Sequence, residues 1–299
     1  MSEHQPLREA LNDRVLLGDG AMGTQMQAAG LEAGACGESW NLEHPEKVLR
    51  IQKAYADAGS DCLITNTFGG SRATLERHGL GEQAYQTNKA AAELARQALG
   101  DKGWVLGDVG PFGGFLSPLG TTTPEELHQI LSEQIRGLLD GGADAIILET
   151  QTAIEEASVG VRAARELNAP CVIASFAFDK GAAGYKTMMG VGPAEIVARM
   201  GDLGVDVFGA NCGTDLDLPD YIEIAKAYRQ VTDQPLMVQP NAGKPQTQDG
   251  QVVYLATPEA MAEHLPGLVE SGVRIIGGCC GTTPDHLARF REVLDKLNR

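Results

Sequence analysis

The chain has 299 residues, 43% hydrophobic and 21% charged, with a formal net charge of −16. Such an acidic balance repels phosphate backbones and anionic lipid headgroups, so nucleic acid and membrane surfaces are excluded as partners. No stretch approaches the ~20 apolar residues of a membrane span. The polar start MSEHQPLREALNDR lacks the apolar core of a secretion signal, so a cytoplasmic protein with reduced cysteines is expected.

Eight short apolar runs follow one another: 15–22, 62–68, 104–111, 145–150, 171–176, 207–212, 236–241 and 274–280. Each is apolar at both parities, as suits a strand buried on both faces. Helical patterns lie between most of them. Residues 45–59 carry Val48, Ile51, Ala54, Tyr55 and Ala58 at three- and four-residue spacing, and 124–142 and 258–272 open on Pro-Glu.

One junction recurs four times: DAGSDCLIT, DGGADAIIL, DLGVDVFGA and ESGVRIIGG. Gly59, Gly142, Gly204 and Gly272 stand where a helix ends before a strand, a position that favours left-handed backbone. Repeated helix–Gly–strand units mean parallel strands joined by crossover helices. Eight of them close into a (β/α)₈ barrel with no segment left over. The rival is an open doubly wound sheet. Barrels of ~250 residues are single units, and no linker or composition shift divides this chain, so one domain over 1–299 is expected.

Barrel active sites collect at the C-terminal ends of the strands. Those ends read Asp19-Gly20, Thr65-Asn66-Thr67, Asp108, Glu149-Thr150, Ser175, Asn211-Cys212, Asn241 and Cys279-Cys280. Three thiols thus meet at one mouth: Cys212 ends the sixth strand, Cys279 and Cys280 the eighth, and both flank the seventh. Three thiolates suit zinc, and a site with three protein ligands keeps a fourth position open, the pattern of a catalytic rather than structural ion. Cys62 and Cys171, at strand starts, and Cys36, in a loop, are read as packing. A strained Cys279–Cys280 disulfide is the competing reading of the pair, and a phosphate cradle at the following helix N-terminus is the competing reading of the glycines.

DGAMGT, TNTFGG, GDVGPFG, ILET, GANCG, QPNAG and GGCCGTTPDH, in this order, resemble the homocysteine S-methyltransferase family from about residue 15 to residue 294. Within it they look most like the homocysteine-binding module of cobalamin-dependent methionine synthases. The resemblance implies a (β/α)₈ barrel, a Zn²⁺ ion on Cys212, Cys279 and Cys280, and methylation of the homocysteine thiol to methionine. It also implies that Asp19 and Glu149 hold the amino group, that Gly20 and Thr67 help to fix the amino acid, and that Asn241 fills the open zinc position before substrate arrives, although Asn-Ala-Gly is also ordinary turn chemistry. No catalytic residue beyond the zinc site is implied.

The methyl donor differs among relatives. Where betaine enzymes carry tyrosine after the strand-four acid, this chain has Thr150, which counts against an aromatic cage for a quaternary ammonium. GGCCGTTP and QPNAGKP look more like the corrinoid-linked branch. The expected donor is therefore a methylcorrinoid on a separate protein, since no corrinoid module follows within these residues. S-methylmethionine, S-adenosylmethionine and betaine are the alternatives. Outside the class stand a phosphate-binding barrel isomerase or lyase, and a non-catalytic zinc-thiol module.

Overall fold

A computed structural model describes residues 5–248 and 251–298. Eight parallel strands form one sheet: β1 (Leu16–Leu17), β2 (Cys62–Ile64), β3 (Trp104–Val109), β4 (Ala145–Gln151), β5 (Val172–Phe176), β6 (Val207–Asn211), β7 (Leu236–Gln239) and β8 (Val273–Ile276). Their spatial order, β1-β8-β7-β6-β5-β4-β3-β2, is that of a barrel, and all eight fall on the runs anticipated from sequence to within one residue. Among the described residues, no strand ladder joins β1 to β2, and Asp61 bridges the seam with one backbone and one side-chain bond. Asp61 N–H donates to the Leu17 carbonyl at 2.7 Å, and the Asp61 carboxylate accepts from Leu17 N–H at 2.8 Å.

The apolar-on-both-parities pattern has a direct structural reading. Leu16, Cys62, Trp104, Leu106, Ile147, Ile173, Met237 and Ile275 fill the barrel interior, whereas their neighbours Leu17, Leu63, Val105, Ile146, Val172, Phe208 and Ile276 face the helices. The helix Leu7–Asp13 joins the interior cluster through Leu7, Ala10 and Leu11. It plugs the end of the barrel opposite the strand C-termini. Each fully buried aliphatic side chain contributes about 1.5–3 kcal/mol of transfer free energy, so this layered core is the main stabilising term. Cys62 and Cys171 belong to it and are fully buried.

Gly59, Gly142, Gly204 and Gly272 all have φ between 87° and 99°, as their repeated junction demands. Two antiparallel hairpins decorate the strand C-terminal side: Asp179–Gly181 with Gly184–Lys186 after β5, and Gln246–Gln248 with Gln251–Val253 after β7. Among the described residues, no helix is long and apolar enough to cross a membrane.

Candidate metal centre and active site

Inward parity continues past the apolar layers and turns polar at the mouth. On β3 it runs Trp104, Leu106, Asp108; on β4 Ala145, Ile147, Glu149; on β6 Val207, Gly209, Asn211; on β7 Met237, Gln239. A cavity of about 440 Å³ opens there. Asp19, Glu38, Asp108, Glu149 and the three mouth cysteines lie on its walls. No lysine, arginine or histidine is among the described residues that line it.

The Sγ atoms of Cys212, Cys279 and Cys280 all lie within 4.8 Å of one another, and those of Cys279 and Cys280 are 3.9 Å apart. A tetrahedral ion with ~2.3 Å bonds to sulfur needs an edge of ~3.8 Å, so the donor set fits zinc in both chemistry and spacing. At 3.9 Å no S–S bond joins Cys279 to Cys280 in this structure. Hydrogen bonds from Cys212 and Cys279, helped by Tyr254, lower the Cys280 thiol below its ordinary range.

Local backbone explains why these sulfurs converge. Cys212 has φ of 55°, a left-handed conformation costing roughly 1–2 kcal/mol outside glycine. Its carbonyl accepts a hydrogen bond from the Tyr221 hydroxyl, and its N–H donates to the Gln239 carbonyl at 3.3 Å. Gly213 follows with φ of 98°, and a Cβ there would lie 2.4 Å from the Phe178 carbonyl oxygen. The hairpin after β5 braces the same turn: Asp179 accepts from both the N–H and the hydroxyl of Thr214, at 2.9 and 2.7 Å.

On β8 the glycine-rich run is knitted to its neighbours. The N–H groups of Gly277, Gly278 and Cys279 donate to Val238, Asp19 and Pro240 carbonyls at 3.0, 2.8 and 2.8 Å. Thr282 Oγ1 donates to the Cys279 carbonyl at 2.7 Å and accepts from Ala21 N–H at 3.1 Å. The donors a phosphate would need are therefore engaged inside the protein, and the walls facing it are acidic. The phosphate-cradle reading loses its physical basis.

Asp19 is buried. Its Oδ2 accepts from Ile64 N–H at 2.8 Å, so this carboxylate also helps to close the seam between β1 and β2. Burial, opposed by that hydrogen bond and reinforced by Glu149, raises its pKa well above the usual carboxylate range. Glu149 Oε1 accepts from Gln239 Nε2 at 3.0 Å; burial pushes Glu149 up to about 7 against that hydrogen bond, and Cys212 adds to the rise.

Gly20 is wedged where a Cβ would lie 2.7–2.9 Å from Thr282, Tyr55 and Leu287, so packing alone requires glycine there. Thr67 lines the cavity, but its hydroxyl donates to the Asp108 carbonyl at 2.7 Å and pairs with the Thr65 hydroxyl at 2.6 Å. Asn241 is buried, and the neighbouring Ala242 N–H donates to the Cys280 carbonyl at 2.9 Å. Its Nδ2 donates to the Gly213 carbonyl at 2.9 Å, while its Oδ1 has no partner among the described residues. The tight turn at Asn-Ala-Gly is present too: Gly243 N–H donates to the Asn241 carbonyl at 2.7 Å.

Residues 16–294 match the family model of homocysteine S-methyltransferases. The chain belongs to the homocysteine S-methyltransferase family. Methionine synthase of Mycobacterium leprae is 31% identical over 318 aligned positions, which cover 99% of this chain and 26% of that protein. Methionine synthase of Mycobacterium tuberculosis is 32% identical, over 98% of this chain and 26% of its own length. This chain thus spans about a quarter of the methionine synthases it matches. Among solved structures, the metallated form of the homocysteine methyltransferase MmuM from Escherichia coli superposes with a TM-score of 0.78 at 26% identity, covering 96% of this chain and 99% of that one. Membership in this family accounts for the (β/α)₈ barrel and for a thiol triad at its mouth.

Asp108 was not singled out from sequence as a site residue. It stands at a strand end within GDVGP, on inward parity, and that position is the signal that finds it. Burial, followed by the charges of Glu149, Glu38 and Asp19, raises its pKa well above the usual range.

Proposed function

We propose that this barrel transfers a methyl group to the thiol of homocysteine, forming methionine, with zinc held by Cys212, Cys279 and Cys280. The observation that carries the reading is the convergence of three sulfurs, at tetrahedral spacing, on the wall of a cavity lined by Asp19 and Glu149. A zinc ion bound there supplies Lewis acidity that keeps a thiol in its thiolate form at neutral pH.

The chain's own residues do the rest. Asp19 and Glu149 receive the substrate ammonium, which fixes the thiol end of the amino acid toward the sulfur triad. The Asn241 Oδ1 atom, buried and without a partner among the described residues, would be free to serve as a further ligand to such an ion. Three anionic sulfurs would more than offset the +2 charge of a zinc ion, and so would leave the substrate sulfur enough electron density to attack. The sulfur forms a bond to the methyl carbon in one displacement, and the electron pair of the broken bond leaves with the donor. No base acts on carbon, in keeping with a cavity wall free of histidine and lysine.

The donor we infer is a methylcorrinoid, with this chain acting as one barrel domain. Two observations support it. Thr150 follows Glu149, which supplies no aromatic cage for a quaternary ammonium. Phe68, Phe115, Leu119, Met188 and Leu255 are exposed on loops that follow β2, β3, β5 and β7, an apolar rim suited to a protein-borne macrocycle. The test is methionine formation by the zinc-loaded protein, supplied in turn with methylcobalamin, S-methylmethionine, S-adenosylmethionine and betaine. Turnover with methylcobalamin alone supports the reading. Turnover with a small onium donor and none with methylcobalamin overturns the donor, and none with any donor leaves a zinc-thiol binding module.

A further inference from the structure

Four carboxyl groups, those of Asp19, Glu38, Asp108 and Glu149, border one cavity that no basic side chain among the described residues shares. Three of them are tied to the protein. Ile64 N–H holds Asp19, Gln239 holds Glu149, and Gly69 N–H holds Glu38 at 2.7 Å. Asp108 differs. It is 2% exposed, and its Oδ1 is buried with no partner.

The carboxyl of Asp108 makes one local contact, with the neighbouring Val109 N–H, and leaves Oδ1 unpaired. The peptide groups around it are fixed by others: Thr65 Oγ1 lies 2.9 Å from the Asp108 N–H, the Thr67 hydroxyl donates to its carbonyl, and Gln134 Nε2 donates to the same carbonyl at 3.3 Å. The two threonines of TNT thus aim Asp108 at the mouth without using its carboxyl. An unpaired buried carboxyl oxygen is costly, and such a group persists where a ligand completes it.

An ammonium group carries three N–H donors. We propose that Asp108 is a substrate-binding residue that accepts one N–H of the homocysteine ammonium, completing a three-carboxyl cradle with Asp19 and Glu149. This rests on the homocysteine reading above and extends it: the site selects thiols that carry a primary amine, because an ammonium supplies both the N–H donors and the positive charge that the three acids lack. Asp19 and Glu149 each keep one oxygen beyond the one engaged by Ile64 or Gln239, so each of the three acids has one oxygen for the guest.

The experiment compares two thiols by calorimetry on zinc-loaded full-length protein: homocysteine, and 4-mercaptobutanoate, which is homocysteine without its amino group. Asp108→Asn is the isosteric variant, and Asp108→Ser gives the same comparison with a smaller side chain should the first fail to fold. The expected result is a roughly 10- to 100-fold weaker homocysteine Kd in the variant, the size of a lost hydrogen bond to a charged group. The 4-mercaptobutanoate Kd stays within about twofold, and the melting temperature of the ligand-free protein does not fall, since an unpartnered buried acid has been removed. Equal weakening of both thiols assigns Asp108 a structural role and overturns the proposal. Unchanged homocysteine binding with a raised KM for S-methylmethionine also overturns it, moving the acid to a cationic donor. If the unaltered protein binds neither thiol, the homocysteine reading itself fails and Asp108 loses its assignment with it.

Discussion

Asn211 holds Thr150 by two hydrogen bonds: its Oδ1 accepts from Thr150 N–H at 3.1 Å and its Nδ2 donates to Thr150 Oγ1 at 2.7 Å. Ser175 Oγ donates to the same Oδ1 at 2.6 Å. Thr150 and Cys212, the residues that follow Glu149 and Asn211, are both left-handed, with φ of 55°. One amide side chain therefore ties the turn after Glu149 to the turn that presents Cys212. Replacing Asn211 by alanine removes all three bonds and leaves buried groups unpaired. We expect about 2–3 kcal/mol of destabilisation in urea denaturation, together with weaker zinc retention. Thr150→Gly is expected to cost less than about 1 kcal/mol, because glycine accepts the left-handed backbone without strain.

Serine in place of Cys212, Cys279 or Cys280 is expected to remove zinc and methyl transfer together. Three ligands define the site, and the loss of one leaves too few to retain the ion through chelation. Metal analysis after dialysis against a chelator gives the answer. A Cys280→Ser protein that retains stoichiometric zinc and full turnover would contradict the ligand assignment.

Asp61 substitutes for the missing backbone ladder between β1 and β2. Besides Leu17 N–H it pairs with Arg14 and Arg291, both at 2.9 Å, while remaining 14% exposed. Asp61→Ala strands the Leu17 backbone donor, removes an ion pair from Arg14, and leaves Arg291 with Asp295 alone. We expect a loss of about 3 kcal/mol in stability, with zinc stoichiometry unchanged. Stability within about 0.5 kcal/mol of the parent would show that the seam is held elsewhere.

Glu156 lies far from the thiols in its bonding. Burial pushes its carboxyl up to about 7, against the Phe112 N–H that donates to it at 2.8 Å. The folded state thus keeps a proton that the unfolded state releases near the ordinary glutamate range. Between about pH 4.5 and 7 the folded state binds more protons, so this group's contribution to stability falls as pH rises, by up to ~1.4 kcal/mol per pH unit. Glu156→Gln is expected to flatten the stability-versus-pH curve in that window. An unchanged slope would mean that Glu156 ionises normally.

Much of this was legible in the sequence because a barrel repeats one physical unit. The apolar runs and the four junction glycines each reported a local requirement, and eight strands and four left-handed caps resulted. The cysteines were legible because strand order alone places the ends of β6 and β8 on either side of β7. What stayed hidden depends on tertiary neighbours. The polar segment before β1 is a barrel plug only because Leu7, Ala10 and Leu11 find an open barrel end. The left-handed φ of Thr150 and Cys212 is imposed by surrounding hydrogen bonds against local preference. Asp108 had the right position, but only the geometry shows that its oxygen lacks a partner.

The most direct test of the central claim is zinc X-ray absorption of the metal-loaded protein, before and after homocysteine is added. The account predicts three sulfur neighbours at ~2.3 Å with one lighter atom, becoming four sulfurs when homocysteine binds. A sulfur count that stays at three with homocysteine bound elsewhere would contradict thiol activation at Cys212, Cys279 and Cys280.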